Sequence, residues 1–324
     1  MKRKTVLLIK IVLCILISGC DSYLKIPSES CYRKLYWISP NEFIFESFQH
    51  RESQLWSMNI DAKTPRQLTT MGASIFTHFR DVISPNKQRI LFWSNDDSVW
   101  ELDIVSGKER CILFRKPNEE IAEMCQYSGN GKELFFVLKN KIYKINIATG
   151  EKHLIVKDGR VIDLNAKTMQ AIIEKDSKIY FVDLNKPDNP KFLPTEGGSL
   201  SPNGDKIIFS KIDNDGSEEL WIMNINTLRK IQIPQGSRKN YHRKTHLLSW
   251  SPDGSKIIYS FKLINNEYFG KVTKEVVCIV ELKENKISVI RRIRNCKDFW
   301  ISWLPDSKKI AFFGEKTIRI MEVR

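Results

Sequence analysis

Histidine is scarce, with five in 324 residues. His50, His78 and His153 are isolated, and His242 and His246 bracket Arg243-Lys244-Thr245 without the glutamate of a zinc-protease helix. No metal or cofactor is expected from so few ligands. There is no Gly-x-Ser-x-Gly run of the kind that makes a nucleophile elbow; Gly197-Gly198-Ser199-Leu200-Ser201 reads as the start of a strand. The acidic tract Asp213-Asn214-Asp215-Gly216-Ser217-Glu218-Glu219 lacks the ligand spacing of a calcium loop and reads as a turn. Beyond the N-terminal segment no long stretch shows helical periodicity. No apolar run reaches the ~20 residues that span a bilayer. Acidic charge is also in deficit, 38 carboxylates against 52 Lys and Arg, for a net charge of +14.

What the chain does have is one sentence written seven times. Its clearest copy is Ser251-Pro252-Asp253-Gly254-Ser255-Lys256-Ile257-Ile258-Tyr259, beside Ser201-Pro202-Asn203-Gly204-Asp205-Lys206-Ile207-Ile208-Phe209. Weaker copies begin at Ser84, Ser128 and Leu304, and eroded ones at Ser39 and Leu164. Pro presets the first turn position, Asp or Asn bonds its own main chain, and Gly takes the left-handed conformation. Such a turn joins two antiparallel strands. A third strand follows each time, as in Leu55-Trp56-Ser57-Met58-Asn59-Ile60 or Leu220-Trp221-Ile222-Met223-Asn224-Ile225, rich in β-branched and aromatic residues. Most copies add another turn and a short fourth strand, such as His153-Leu154-Ile155.

Four-stranded antiparallel units recurring roughly every 40 residues mark the blades of a propeller. The expected fold is therefore all-β: a seven-bladed β-propeller of four-stranded antiparallel blades, with six or eight blades as alternatives, occupying residues 35–324. The longest interval between third strands, ending at Leu282, places loop insertions mostly in the sixth blade. The seventh copy stops at Arg324 without a fourth strand. Tyr23-Leu24-Lys25-Ile26-Pro27 looks like the fourth strand of blade five, Lys230-Ile231-Gln232-Ile233-Pro234. It is predicted to close the ring by completing the last blade, the alternative being that residues 21–34 are a loose tether.

The Ser-Pro-Asp-Gly-x-x-Ile turn followed by Leu-Trp-x-Met-Asn-Ile resembles the repeat of the TolB-type, tryptophan-aspartate-like β-propellers. The resemblance covers nearly all of residues 35–324, with seven copies against the six of TolB itself. It implies a propeller fold and is less specific about function, because related repeats accompany peptidases and carbohydrate-active enzymes.

Residues 1–19 read as a signal peptide: Lys2, Arg3 and Lys4 lead, Val6 to Ile17 are apolar apart from Lys10 and Cys14, and Ile17-Ser18-Gly19-Cys20 closes the segment. Those four residues resemble the bacterial lipobox, which implies cleavage before Cys20 and its acylation; a cleaved signal with a coincidental cysteine is the plainer alternative. Residues 20–34 would then be the lipidated N-terminus and the ring-closing strand. Asp21 resembles the signal that keeps lipoproteins in the inner membrane of enteric Gram-negative bacteria. The localisation implied is a membrane-anchored chain facing the periplasm or the exterior.

Without Lys2, Arg3, Lys4 and Lys10, 48 basic groups still face 38 acidic ones. A basic surface favours anionic head groups, acidic polymers or an acidic protein; nucleic acid is not an expected partner for a secreted chain. The densest cluster is a predicted loop holding Arg238, Lys239, Arg243 and Lys244, either a contact surface or merely solvated. Cys31, Cys111, Cys125, Cys278 and Cys296 are odd in number, which leaves at least one free thiol; a Cys111–Cys125 bridge and buried free thiols are both open.

Function must come from architecture, since propeller sites gather residues from several blades. The inner-strand ends supply the candidates for binding at the channel mouth: Asp81, Gln126, Asp163, Ser199, Ser249 and Ser302. Trp250 and Trp303 beside them read as packing between blades. The expected function is a protein-binding scaffold of the cell envelope with an unidentified envelope partner, and not an enzyme. The alternative is a carbohydrate- or peptide-processing enzyme with its active site in the channel.

Overall fold

The computed structural model describes residues 20–25, 35–49, 52–74, 82–214, 216–233, 241–265, 272–283, 286–294, 300–313 and 317–323. Among these there is no helix, and twenty-eight strands form seven four-stranded antiparallel sheets. The first strand, β1 (Cys20–Lys25), belongs to the last sheet. Blade one is β2 (Tyr36–Trp37), β3 (Glu42–Gln49), β4 (Glu52–Asn59) and β5 (Pro65–Gln67). Blade two is β6 (Ala73–Ser74), β7 (Arg89–Ser94), β8 (Val99–Asp103) and β9 (Glu109–Leu113). Blade three runs β10 (Glu123–Tyr127), β11 (Glu133–Leu138), β12 (Lys141–Asn146), β13 (Lys152–Val156). Blade four runs β14 (Arg160–Asn165), β15 (Gln170–Lys175), β16 (Lys178–Asp183), β17 (Lys191–Leu193). Blade five is β18 (Ser199–Leu200), β19 (Lys206–Ile212), β20 (Glu218–Asn224) and β21 (Lys230–Gln232). Blade six is β22 (Tyr241–Trp250), β23 (Lys256–Asn265), β24 (Val272–Lys283) and β25 (Lys286–Arg294). Blade seven is β26 (Trp300–Trp303), β27 (Lys309–Phe313) and β28 (Thr317–Glu322), completed by β1.

The chain is thus a seven-bladed β-propeller. Strand β1 closes it, pairing antiparallel with β28 from Cys20↔Met321 to Lys25↔Thr317. It starts three residues earlier than Tyr23, where the sequence pattern placed it. Ile26 and Pro27 lie outside the described residues. The apolar seam between the last and first blades shows the same closure. Leu35, Trp37, Phe43, Phe45 and Met58 of blade one form one buried cluster with Leu304, Ala311, Ile318 and Ile320 of blade seven.

Each repeated turn works as its residues predict. In blade six the Lys256 amide donates to Ser251 Oγ (2.8 Å) and Ser255 N–H to Asp253 Oδ1 (2.9 Å), while Gly254 sits at φ 71°. Burial raises the Asp253 pKa, but hydrogen bonds from Ser251 and Ser255 outweigh it and hold the carboxyl below its usual range. Blades two and seven force the same left-handed conformation on Lys87 and Ser307, φ 62° and 56°. That substitution is why those copies read as weak.

In every blade the first turn and the end of the third strand lie on one face of the ring. The residue closing each third strand donates to a carbonyl of its own blade's first turn, from Ile60 N to Asn41 O (2.8 Å) through to Val323 N to Lys308 O (2.7 Å). We call this the turn face. The second hairpins and the connections between blades that are described lie on the opposite face.

One correction concerns blade six. Its surplus residues lengthen strands rather than loops: β22 to β25 have 10, 10, 12 and 9 residues. Since β23 starts just after its turn, as β19 does, the added length stands on the opposite face.

Gly198 has φ 137°, and a Cβ there would lie 2.6 Å from Ile208 O and 2.7 Å from Ile207 Cγ1. Gly198→Ala combines a glycine-only backbone with overlap against a strand, and should cost about 1–3 kcal/mol in denaturant titration. A variant as stable as the parent would show that this strand start relaxes freely.

Candidate functional site

Of the inner-strand residues proposed from sequence for the channel mouth, Gln126, Asp163 and Ser302 reach the next blade through their side chains, and Ser199 and Ser249 through their carbonyls. Gln126 on β10 is 2% exposed; its Nε2–H donates to Leu164 O (2.7 Å) and its Oε1 accepts from Ala166 N–H (3.1 Å), joining blade three to blade four. Asp163 on β14 accepts from Leu200 N–H through Oδ2 (2.7 Å) and from Leu164 N–H through Oδ1 (3.1 Å), joining blade four to blade five. The Ser199 carbonyl accepts from Trp250 Nε1 (3.4 Å), and that of Ser249 from Trp303 Nε1 (3.3 Å). Ser302 Oγ lies 3.4 Å from Leu35 O across the final seam. Asp81 lies outside the described residues.

These contacts run from blade to blade around the ring. Gln126 and Asp163 thus tie their inner strands to the backbone of the next blade.

Of the predicted basic loop, Arg238 and Lys239 lie outside the described residues. Arg243 and Lys244 are not in a loop: they stand on β22, opposite Leu263 and Lys262. His242 is on the same strand, opposite Ile264. Among the described residues no three or more His, Cys, Asp or Glu are grouped so as to hold a metal ion. Cys111 and Cys125 carry free thiols, so the Cys111–Cys125 bridge does not form; burial pushes the Cys125 thiol well above its usual range. Cys31 and Cys296 fall outside the described residues.

Sequence reasoning missed one charged cluster. Glu101 on β8 is 3% exposed and accepts from Tyr127 Oη (2.8 Å) on β10 of the next blade. Its other oxygen accepts from Arg110 Nε (2.8 Å) and Nη2 (2.7 Å), with Arg89 Nη1 at 3.7 Å. Burial, then the neighbouring Glu101 charge, pushes the Tyr127 hydroxyl far above its usual range, so it remains a donor. A signal existed: Glu101 fills the middle of a third strand where blades five, six and seven carry Ile222, Ile279 and Ile320.

Large exposed apolar side chains mark both faces. Phe114, in the connection after β9, is 68% exposed, and Ile212, at the second hairpin of blade five, is 63% exposed; both are on the opposite face. Val105 (78%) stands in a turn of the turn face. Cys20, paired with Met321, enters the ring at the level of the turn face.

The class these features define is a closed β-propeller whose inner strands are fastened by their own polar side chains. Solved structures agree on the fold. An oligogalacturonate lyase in complex with manganese superposes with a TM-score of 0.67 at 12% identity, covering 94% of this chain and 96% of that one. The β-propeller domain of Cps50 (Swd1) from Myceliophteria thermophila gives 0.63 at 13% identity, covering 94% and 100%. TolB from Acinetobacter baumannii gives 0.48 at 15% identity, covering 88% and 64%, too loose a superposition to argue from. No protein-family model matches the chain, and no curated protein matches it in sequence.

Proposed function

We propose that this propeller is a lipoprotein, acylated at Cys20 and facing the periplasm or the exterior, that holds a protein partner of the cell envelope on its opposite face. A TolB-type role as a docking platform is the finer form of the same reading. The observation that carries it is the opposition of the two faces. Cys20 enters at the turn face, whereas exposed Phe114 and Ile212 and the lengthened sixth blade stand on the other. A membrane joined at Cys20 leaves that second face free for a macromolecule. Asp21 would direct retention in the inner membrane where the enteric sorting rule applies.

Two measurements test the reading. Metabolic labelling with a radioactive fatty acid should mark the parent and not Cys20→Ala; equal labelling of both removes the anchor. Photo-crosslinkers at Phe114 and Ile212, followed by detergent extraction and mass spectrometry, should capture a reproducible partner. Turnover of an oligosaccharide or peptide by the purified chain, with no partner captured, would favour the enzymatic alternative instead.

A further inference from the structure

The charge surplus of this chain is concentrated in one blade. Residues 238–298 hold fourteen Lys and Arg against six Asp and Glu, so this segment alone contributes +8 to the net charge of +14. Of these, β25 itself carries Lys286, Arg291, Arg292 and Arg294 and no Asp or Glu.

The outer strand of this blade is unlike the other six. β25 has nine residues, against three in β5, β17 and β21, five in β9 and β13, and six in β1. It pairs with β24 on one side and is the last strand of its sheet among the described residues. A long terminal strand presents a row of main-chain donors and acceptors that can template another strand, a hazard that proteins ordinarily limit by keeping edges short. Here the edge is both long and cationic. Arg292 and Arg294 occupy alternate positions, in register with Cys278 and Val276.

Resting on the protein-binding reading above and naming the chemistry of its partner, we propose that β25 receives an extended acidic segment of a partner protein as a fifth strand of blade six. Main-chain pairing along the edge supplies affinity, and carboxylates at alternate positions of the incoming strand meet Arg292 and Arg294, which supplies selectivity. An acidic protein segment satisfies both the backbone edge and the charge; a polyanion without a peptide backbone satisfies only the charge.

The test uses the full chain and three fluorescent probes followed by polarisation. These are a short peptide of alternating glutamate and valine, its lysine–valine counterpart, and the glutamate peptide N-methylated on the backbone nitrogens of one edge. The acidic peptide should bind, the basic one should not, and methylation should weaken binding by roughly tenfold or more through the loss of several main-chain bonds. The double variant Arg292→Glu, Arg294→Glu should invert the preference. Equal binding of the methylated and parent peptides overturns strand addition in favour of plain charge attraction, and no binding of the acidic peptide overturns it outright. Because methylation alters the probe and not the protein, the result stands even if the charge variant folds poorly. A partner captured at Phe114 or Ile212 together with indifference to the acidic peptide would sink this proposal and leave the scaffold reading intact.

Discussion

Glu101→Ala is expected to destabilise the propeller by about 3–4 kcal/mol in urea titration, well beyond the ~1 kcal/mol of an exposed ion pair. The loss is set by which partners are left behind. Arg89 and Arg110 have side chains 42% and 48% exposed and can turn to water. Tyr127 cannot: at 2% exposure its hydroxyl would be stranded between two blades, and an unpaired buried donor costs roughly 1–3 kcal/mol. The void left by the carboxylate arm adds to this. Tyr127→Phe removes the stranded donor together with its bond and should cost less, about 1–2 kcal/mol. In the double variant the two losses should fall well short of their sum, as contacting residues do. A Glu101→Ala loss below about 1 kcal/mol would mean that water reaches the cluster and that it does not hold blades two and three together.

Removing residues 20–25 should weaken the ring by roughly 3–5 kcal/mol, taking about 1 kcal/mol for each main-chain bond of the β1–β28 ladder. The damage should be local first. Without β1, the edge of β28 is bare, and hydrogen exchange should accelerate along Thr317–Glu322 before it changes in blades three and four. Limited proteolysis read by mass spectrometry should cut first in blade seven. Unchanged exchange in β28 would show that the seam between blades seven and one closes without this strand.

Architecture was legible because it is repeated. A Ser-Pro-Asp-Gly turn dictates a hairpin by local chemistry alone, and seven occurrences leave few ways to arrange the sheets. Closure by the N-terminal strand could be read from the missing fourth strand of the last copy and the likeness of Tyr23–Pro27 to Lys230–Pro234. Its true start at Cys20 could not, because a strand at a sheet edge has no second neighbour to set its limits. Likewise, Arg243 and Lys244 looked like a loop since Lys, Arg and His have little β preference; pairing with Lys262 and Leu263 overrides that.

The candidate site was less readable for a definite reason. Polar residues at inner-strand ends suggest ligand binding when seen singly. Gln126 and Asp163 also reach a backbone some 40 positions further along, to Leu164, Ala166 and Leu200. Only the curvature of the ring brings those groups together. Glu101 was hidden in the same way, its partner Tyr127 being on another blade.

Joining residue 20 to residue 321 also has a consequence for biogenesis. Residues 20–25 are made long before their partner strand, so the ring cannot close until β28 appears. Throughout that wait the apolar flank of blade one, with Trp37, Phe43 and Phe45, lacks its cover from blade seven. Such a sequence-distant union makes for slow folding. Any tail fused after Arg324 would be added within a few residues of the point where the two ends of the chain meet.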